Sequence, residues 1–247
     1  MGGAAVVATL ARRNGNAMIA DKLARVHERI ASACAGAGRP VQSVTLLVVS
    51  KTFGPDAVRA AHSEGEVRFG ENYVQEGLEK ILALPDLQGR IEWHLIGPLQ
   101  SNKTRVGAER FDWVHTVDRV KLAERLSAQR PAGLPPLNVC LQVNISGETS
   151  KAGLPPREVA DVAHAVAALP RLTLRGLMAI PEPAGDFEAQ RRPHRALREL
   201  LEALRRDGLA LDTLSMGMSA DLEAAIAEGA TLVRVGSAIF GDRPRPV

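Results

Sequence analysis

Residues 44–51 read VTLLVVSK, an apolar stretch that closes on Ser50-Lys51. It is too continuous for a strand with one wet face and reads as a strand buried on both sides. Seven more runs of this kind follow: VRFGEN (67–72), IEWHLIG (91–97), WVHTV (113–117), NVCLQVN (138–144), LTLRGLMAI (172–180), LDTLSMG (211–217) and TLVRVG (231–236). Helical patterns separate them. Gly54-Pro55 sets a proline at a helix start, and Pro155-Pro156 precede the apolar-periodic stretch 159–169. Residues 186–206 carry Leu197, Leu200, Leu201 and Leu204 on one side and charge on the other. Ser219 is expected to open a helix with Asp221 in its first turn, ending near Gly229. Ahead of the first strand, Ile19, Leu23, Val26, Ile30 and Cys34 form one stripe of an additional amphipathic helix.

Eight β–α units in a chain of 247 residues match a closed parallel (β/α)8 barrel with its helices outside. An open doubly wound sheet would carry a GxGxxG turn after the first strand, and the sequence has none. No Pro, Gly or Ser linker divides the chain. The expectation is one barrel domain over 17–247, preceded by a flexible extension over 1–16, with Met18 as an alternative start.

Apolar residues make up 45% and charged residues 24%, which suits a soluble globular chain and excludes wholesale disorder. Aromatics supply only 3%, so the core is aliphatic and stacking on single-stranded nucleic acid is not expected. The net charge of +3 is too small to imply a nucleic-acid partner. The basic run around Arg191, Arg195 and Arg198 reads as the solvated face of a helix. No run is long enough to span a membrane. Cys34 and Cys140 have no metal or redox spacing and read as buried apolar residues in a reducing compartment, so the cytoplasm is the expected location.

The chemistry of a barrel sits where its strands end. Lys51 ends the first strand, where apolar walls and a cationic neighbour favour its neutral, nucleophilic amine; a lysine that caps the strand and points to water is the alternative. Gly70-Glu71-Asn72-Tyr73 ends the second, with Glu71 suited to the next helix N-terminus and Asn72 able to bond a ring hydroxyl. His94 reads as a satisfied interior histidine. Gln100, Asn102 and Lys103 cluster polar groups after the third strand. At the far end, Gly217 and Ser219 follow the seventh strand, and Gly236 and Ser237 the eighth. Glycines, hydroxyls and helix-start amides at these two loops make an anion cradle, at the usual phosphate site of barrels. Arg234 lies two residues before Gly236, inside the eighth strand, where a guanidinium stays protonated and needs a partner.

VVSKTFGPDAV, RFGENYVQE, WHLIGPLQSNK, VNISGETSKAG, GLMAIP, LSMGMSADLEAAI and VRVGSAIFG, in this order over about residues 20–243, resemble the YggS/PROSC family of pyridoxal-phosphate homeostasis proteins. The resemblance implies the barrel of the alanine racemase N-terminal domain without its second β domain. It implies pyridoxal 5′-phosphate (PLP) as cofactor, held as a Schiff base on Lys51. Ser219, Gly236 and Ser237 would bind the phosphate, Arg234 would face the pyridine nitrogen, Asn72 would lie near the ring, and Met178 and Met216 would line the pocket. The implied role is intracellular PLP (vitamin B6) homeostasis without catalytic turnover, with PLP-requiring apo-enzymes as possible recipients and a monomer as the expected state. A PLP-dependent amino-acid racemase is the alternative.

Overall fold

The eight runs form eight parallel strands that hydrogen-bond in sequence order and close, first to last, into one barrel. The computed structural model describes residues 3–147 and 152–241, with side chains from Ala17 onward. Glu148–Lys151 of the VNISGETSKAG motif lie outside the described residues, as do the side chains of the expected extension. The strands are β1 (Thr45–Val49), β2 (Arg68–Glu71), β3 (Glu92–Leu95), β4 (Trp113–Val117), β5 (Leu137–Gln142), β6 (Leu172–Met178), β7 (Thr213–Ser215) and β8 (Leu232–Val235). The barrel closes where Leu47 of β1 lies beside Arg234 of β8.

The outer layer is α1 (Gly3–Gly36), α2 (Pro55–Ser63), α3 (Val74–Ala83), α4 (Thr104–Arg110), α5 (Val120–Gln129), α6 (Val159–Ala167), α7 (Phe187–Arg206), α8 (Leu222–Ala227) and α9 (Ser237–Phe240). Pro55 sits in the first turn of α2, where its missing N–H costs nothing. Asp186 caps α7, its Oδ1 accepting the Ala189 N–H at 2.8 Å. Leu23, Val26, Ile30 and Cys34 of α1 are buried, and the helix packs on α8, α9 and α2. The helix after β7 differs from expectation. It begins at Leu222, and Asp221 turns back to accept the Met218 N–H at 2.7 Å.

Strand alternation divides the core in two. Outward residues pack with the helices in one continuous apolar cluster. Inward residues form small groups inside the barrel: Leu47, Val49, Ile96 and Leu232 in one, Trp113, Cys140 and Met178 in another. Both cysteines are buried and unpaired. Arg192, Arg205 and Arg206 of α7 are exposed, as expected of a solvated face, but three other arginines of the helix are engaged. Arg191, Arg195 and Arg198 converge on the buried carboxylate of Glu228 at 2.7, 2.9 and 3.2 Å. Among the described residues, no helix is long and apolar enough to cross a membrane.

Candidate functional site

A cavity of about 410 Å³ opens at the C-terminal mouth of the barrel, within the range of pockets that hold small ligands. Six of the expected residues line it: Lys51, Asn72, Ser219, Arg234, Gly236 and Ser237. Each stands at or just past the end of β1, β2, β7 or β8, which is why chain segments up to about 180 residues apart meet there.

Backbone clearance shapes the walls. A Cβ on Gly97 would lie 2.1 Å from the Asn72 carbonyl oxygen, so only glycine lets the exits of β2 and β3 approach this closely. A Cβ on Gly236 would lie 2.8 Å from the Val49 carbonyl oxygen. The Ser237 and Ser219 hydroxyls converge to 3.5 Å, bringing the two loops together at one spot. Helix α1 supports that spot from behind: Arg29 donates to the Ser219 carbonyl at 3.1 Å and pairs with Glu223.

Arg234 is buried and its guanidinium donates to Ser215 Oγ at 2.8 Å and to the Ala179 carbonyl at 2.9 Å. Burial pushes its pKa down to about 10, which leaves it a cation at neutral pH. Ser215 Oγ is in turn 2.8 Å from His115 Nδ1, His115 Nε2 is 2.9 Å from His94 Nδ1, and His94 Nε2 is 2.9 Å from Glu92 Oε1. His94 also stacks on Trp113. It is the satisfied interior histidine expected.

Two expected pocket residues do not line the cavity. Met216 is fully buried in the cluster facing the helices, because Ser215 before it points inward. Met178 points inward but lies deeper, against Trp113 and Cys140. Ile180 and Met218, each two residues further on, reach the cavity instead. Glu71 does not cap α3. It is fully buried, accepting from Ser50 Oγ at 2.6 Å and from Lys80 Nζ at 2.7 Å, and burial raises its pKa. Gln100, Asn102 and Lys103 are exposed and outside the cavity. Thr116 and Gln142 line it unforeseen. Thr116 is turned there by a register shift between Val114 and Val117, which the sequence does not signal, whereas the placement of Gln142 at the end of an apolar strand does.

A family model described as alanine racemase, N-terminal domain, matches residues 22–244. A Pseudomonas aeruginosa relative named pyridoxal phosphate homeostasis protein is 60% identical over 225 residues, covering 91% of this chain and 96% of the relative. A relative of the same name from Escherichia coli is 52% identical over 226 residues, covering 91% and 97%. The structure of PipY from Synechococcus elongatus with PLP bound superposes with a TM-score of 0.80 at 37% identity, covering 90% of this chain and all of that one. The chain belongs to the family of pyridoxal phosphate homeostasis proteins, built on the alanine racemase N-terminal barrel.

Proposed function

We propose that this protein binds PLP at the barrel mouth and acts in intracellular PLP homeostasis, without a catalytic turnover of its own. The supporting observation is that an amine (Lys51), a buried cation (Arg234) and a converging pair of serine hydroxyls (Ser219, Ser237) face one cavity. PipY, a relative at 37% identity, binds PLP on the same fold.

When bound, the cofactor supplies an aldehyde that condenses with amines and a ring that withdraws electrons. Lys51 holds it covalently through the side-chain nitrogen. Ser219 and Ser237 donate to the phosphate, and the missing side chain of Gly236 lets the backbone approach. Asn72, which lines the cavity, would lie beside the ring. Arg234 would face the ring nitrogen as a fixed cation and disfavour its protonation, so the ring would withdraw electrons less strongly than one paired with a carboxylate. That suits storage and delivery better than chemistry at a substrate carbon.

Absorbance and borohydride reduction test the reading. Purified protein with PLP is expected to show an absorbance band distinct from that of the free cofactor and, after reduction, a mass adduct on Lys51. Cofactor content unchanged in Lys51→Ala, with no adduct on the wild type, would overturn it.

A further inference from the structure

Lys51 is clamped from behind by a buried ion cluster that never touches the cavity. Lys80 of α3 is 4% exposed at its side chain and places its ammonium 2.7 Å from each of three oxygens: the Ser50 carbonyl, Glu71 Oε1 and Glu76 Oε1. An ammonium has three donors, so the set is complete. Glu76 Oε1 also accepts the Thr52 N–H, and Glu71 Oε1 the Ser50 hydroxyl. The Ser50 carbonyl and the Thr52 amide belong to the two peptide units that flank the Lys51 Cα. Both are therefore held by one salt-bridged cluster, which fixes the backbone direction from which the Lys51 side chain departs. Thr52 has φ of 69°, a left-handed conformation rare for a β-branched residue, and it persists where its surroundings over-determine it. An apolar side chain in place of Lys80 fills space but holds neither peptide group.

We propose that Lys80, Glu71 and Glu76 are positioning residues for Lys51, presetting its amine for bond formation with a phosphorylated aldehyde; this rests on the PLP reading above. In that step the neutral amine adds to the aldehyde carbon, a carbon–nitrogen double bond forms, and the aldehyde oxygen leaves as water with the two amine hydrogens.

The test separates the covalent step from the fit of the pocket. Pyridoxine 5′-phosphate carries an alcohol in place of the aldehyde, so it reports the pocket alone. Glu76→Gln, at a partly exposed site, and Lys80→Met are compared with the wild type by titration with each ligand and by stopped-flow absorbance with PLP. Both variants are expected to keep pyridoxine-phosphate affinity within about twofold and to form the Lys51 bond at least about tenfold slower, since misplacement of a reacting group by about 1 Å costs on the order of 10²-fold. Unchanged bond-forming rates overturn the proposal, as does parallel loss of both ligands. Should Lys80→Met not fold, Glu76→Gln decides alone. A wild type that binds PLP without any bond to Lys51 overturns the underlying reading, and the positioning role with it.

Discussion

Arg234 Nη1 donates to Ser215 Oγ at 2.8 Å across the barrel interior, and that bond is the first link of a hydrogen-bond chain through the barrel. At the far end the Glu92 carboxylate only accepts, so a neutral His94 carries its proton on Nε2 and accepts at Nδ1, and a neutral His115 accepts the Ser215 O–H at Nδ1 while the Ser215 oxygen accepts from Arg234. The His115 proton then sits on Nε2 and goes to His94 Nδ1, and the His94 proton on Nε2 goes to the Glu92 carboxylate. One chain runs from a cation at the mouth to a carboxylate at the other end of the barrel.

Ser215→Ala interrupts this chain at its first link. It leaves a buried guanidinium N–H and the His115 Nδ1 lone pair without partners, at about 1–3 kcal/mol for each buried group left unmade. Urea unfolding is expected to show a loss of about 2–4 kcal/mol, together with weaker PLP retention. A loss within about 0.5 kcal/mol, the range of ordinary surface substitutions, would mean that Arg234 does not depend on Ser215.

With both imidazoles neutral, the Glu92 end of the chain makes each an Nε2–H tautomer. Burial lowers the pKa of His94, and burial together with His94 and Arg234 holds His115 well below 6.5. At pH 6.5, where an unperturbed histidine is half protonated, imidazole 15N shifts are expected to show these two rings neutral and protonated at Nε2. Cationic rings, or protons on Nδ1, would contradict the chain.

Burial also silences the thiols. It pushes the Cys140 pKa up to about 12 and raises that of Cys34, and the thiolate is the reactive form. A thiol-selective disulfide reagent at pH 8 is expected to label neither cysteine in the native protein and both after unfolding. Rapid native labelling of Cys140 would show that the barrel interior opens readily.

The barrel was legible because parallel strands buried on both faces write themselves as apolar runs: seven of the eight runs contain the strand found, and β5 begins one residue before its run, at Leu137. The mouth was legible because strand ends mark it: Lys51, Asn72, Ser219, Arg234, Gly236 and Ser237 all reach the cavity. What failed needed parity and register. Met216 follows an inward residue and so faces the helices, and Met178 is inward but one layer too deep. Glu71 differs from the expected helix-start position because its partners come from β1's end and from the second half of α3, a meeting that no local pattern encodes. The His94–His115–Ser215 chain crosses β3, β4 and β7, and only the barrel's closure brings those positions together.

The phosphate cradle is tested by replacing Ser219 and Ser237 with Ala together. A hydrogen bond to a charged group contributes about 1.5–3 kcal/mol, so PLP affinity is expected to fall by at least about tenfold while the fold persists, since both hydroxyls sit at an open mouth. Equilibrium dialysis with absorbance reads the change. Unchanged affinity would place the phosphate elsewhere in the cavity.

Incubation with L-alanine is expected to give no enzyme-like racemisation. Moving a proton from one face of an α-carbon to the other needs an acid–base group on each side, within roughly 2.6–3.2 Å directly or through one water. Lys51 serves one face. Among the described residues that line the cavity, the only other ionisable group is Arg234, which stays protonated. Tyr73, the one tyrosine in the chain, is 62% exposed and outside the cavity. His94 and His115 are committed to the interior chain. A missing general base typically forfeits about 10²–10⁴-fold in rate, and Arg234 in the proposed place at the ring nitrogen would weaken the ring's hold on a carbanion further. In D₂O, NMR is expected to show at most slow α-deuteration, and chiral chromatography no accumulation of D-alanine. Sustained D-alanine formation that vanishes in Lys51→Ala would make the protein a racemase, with its second acid–base group supplied from outside the described cavity wall.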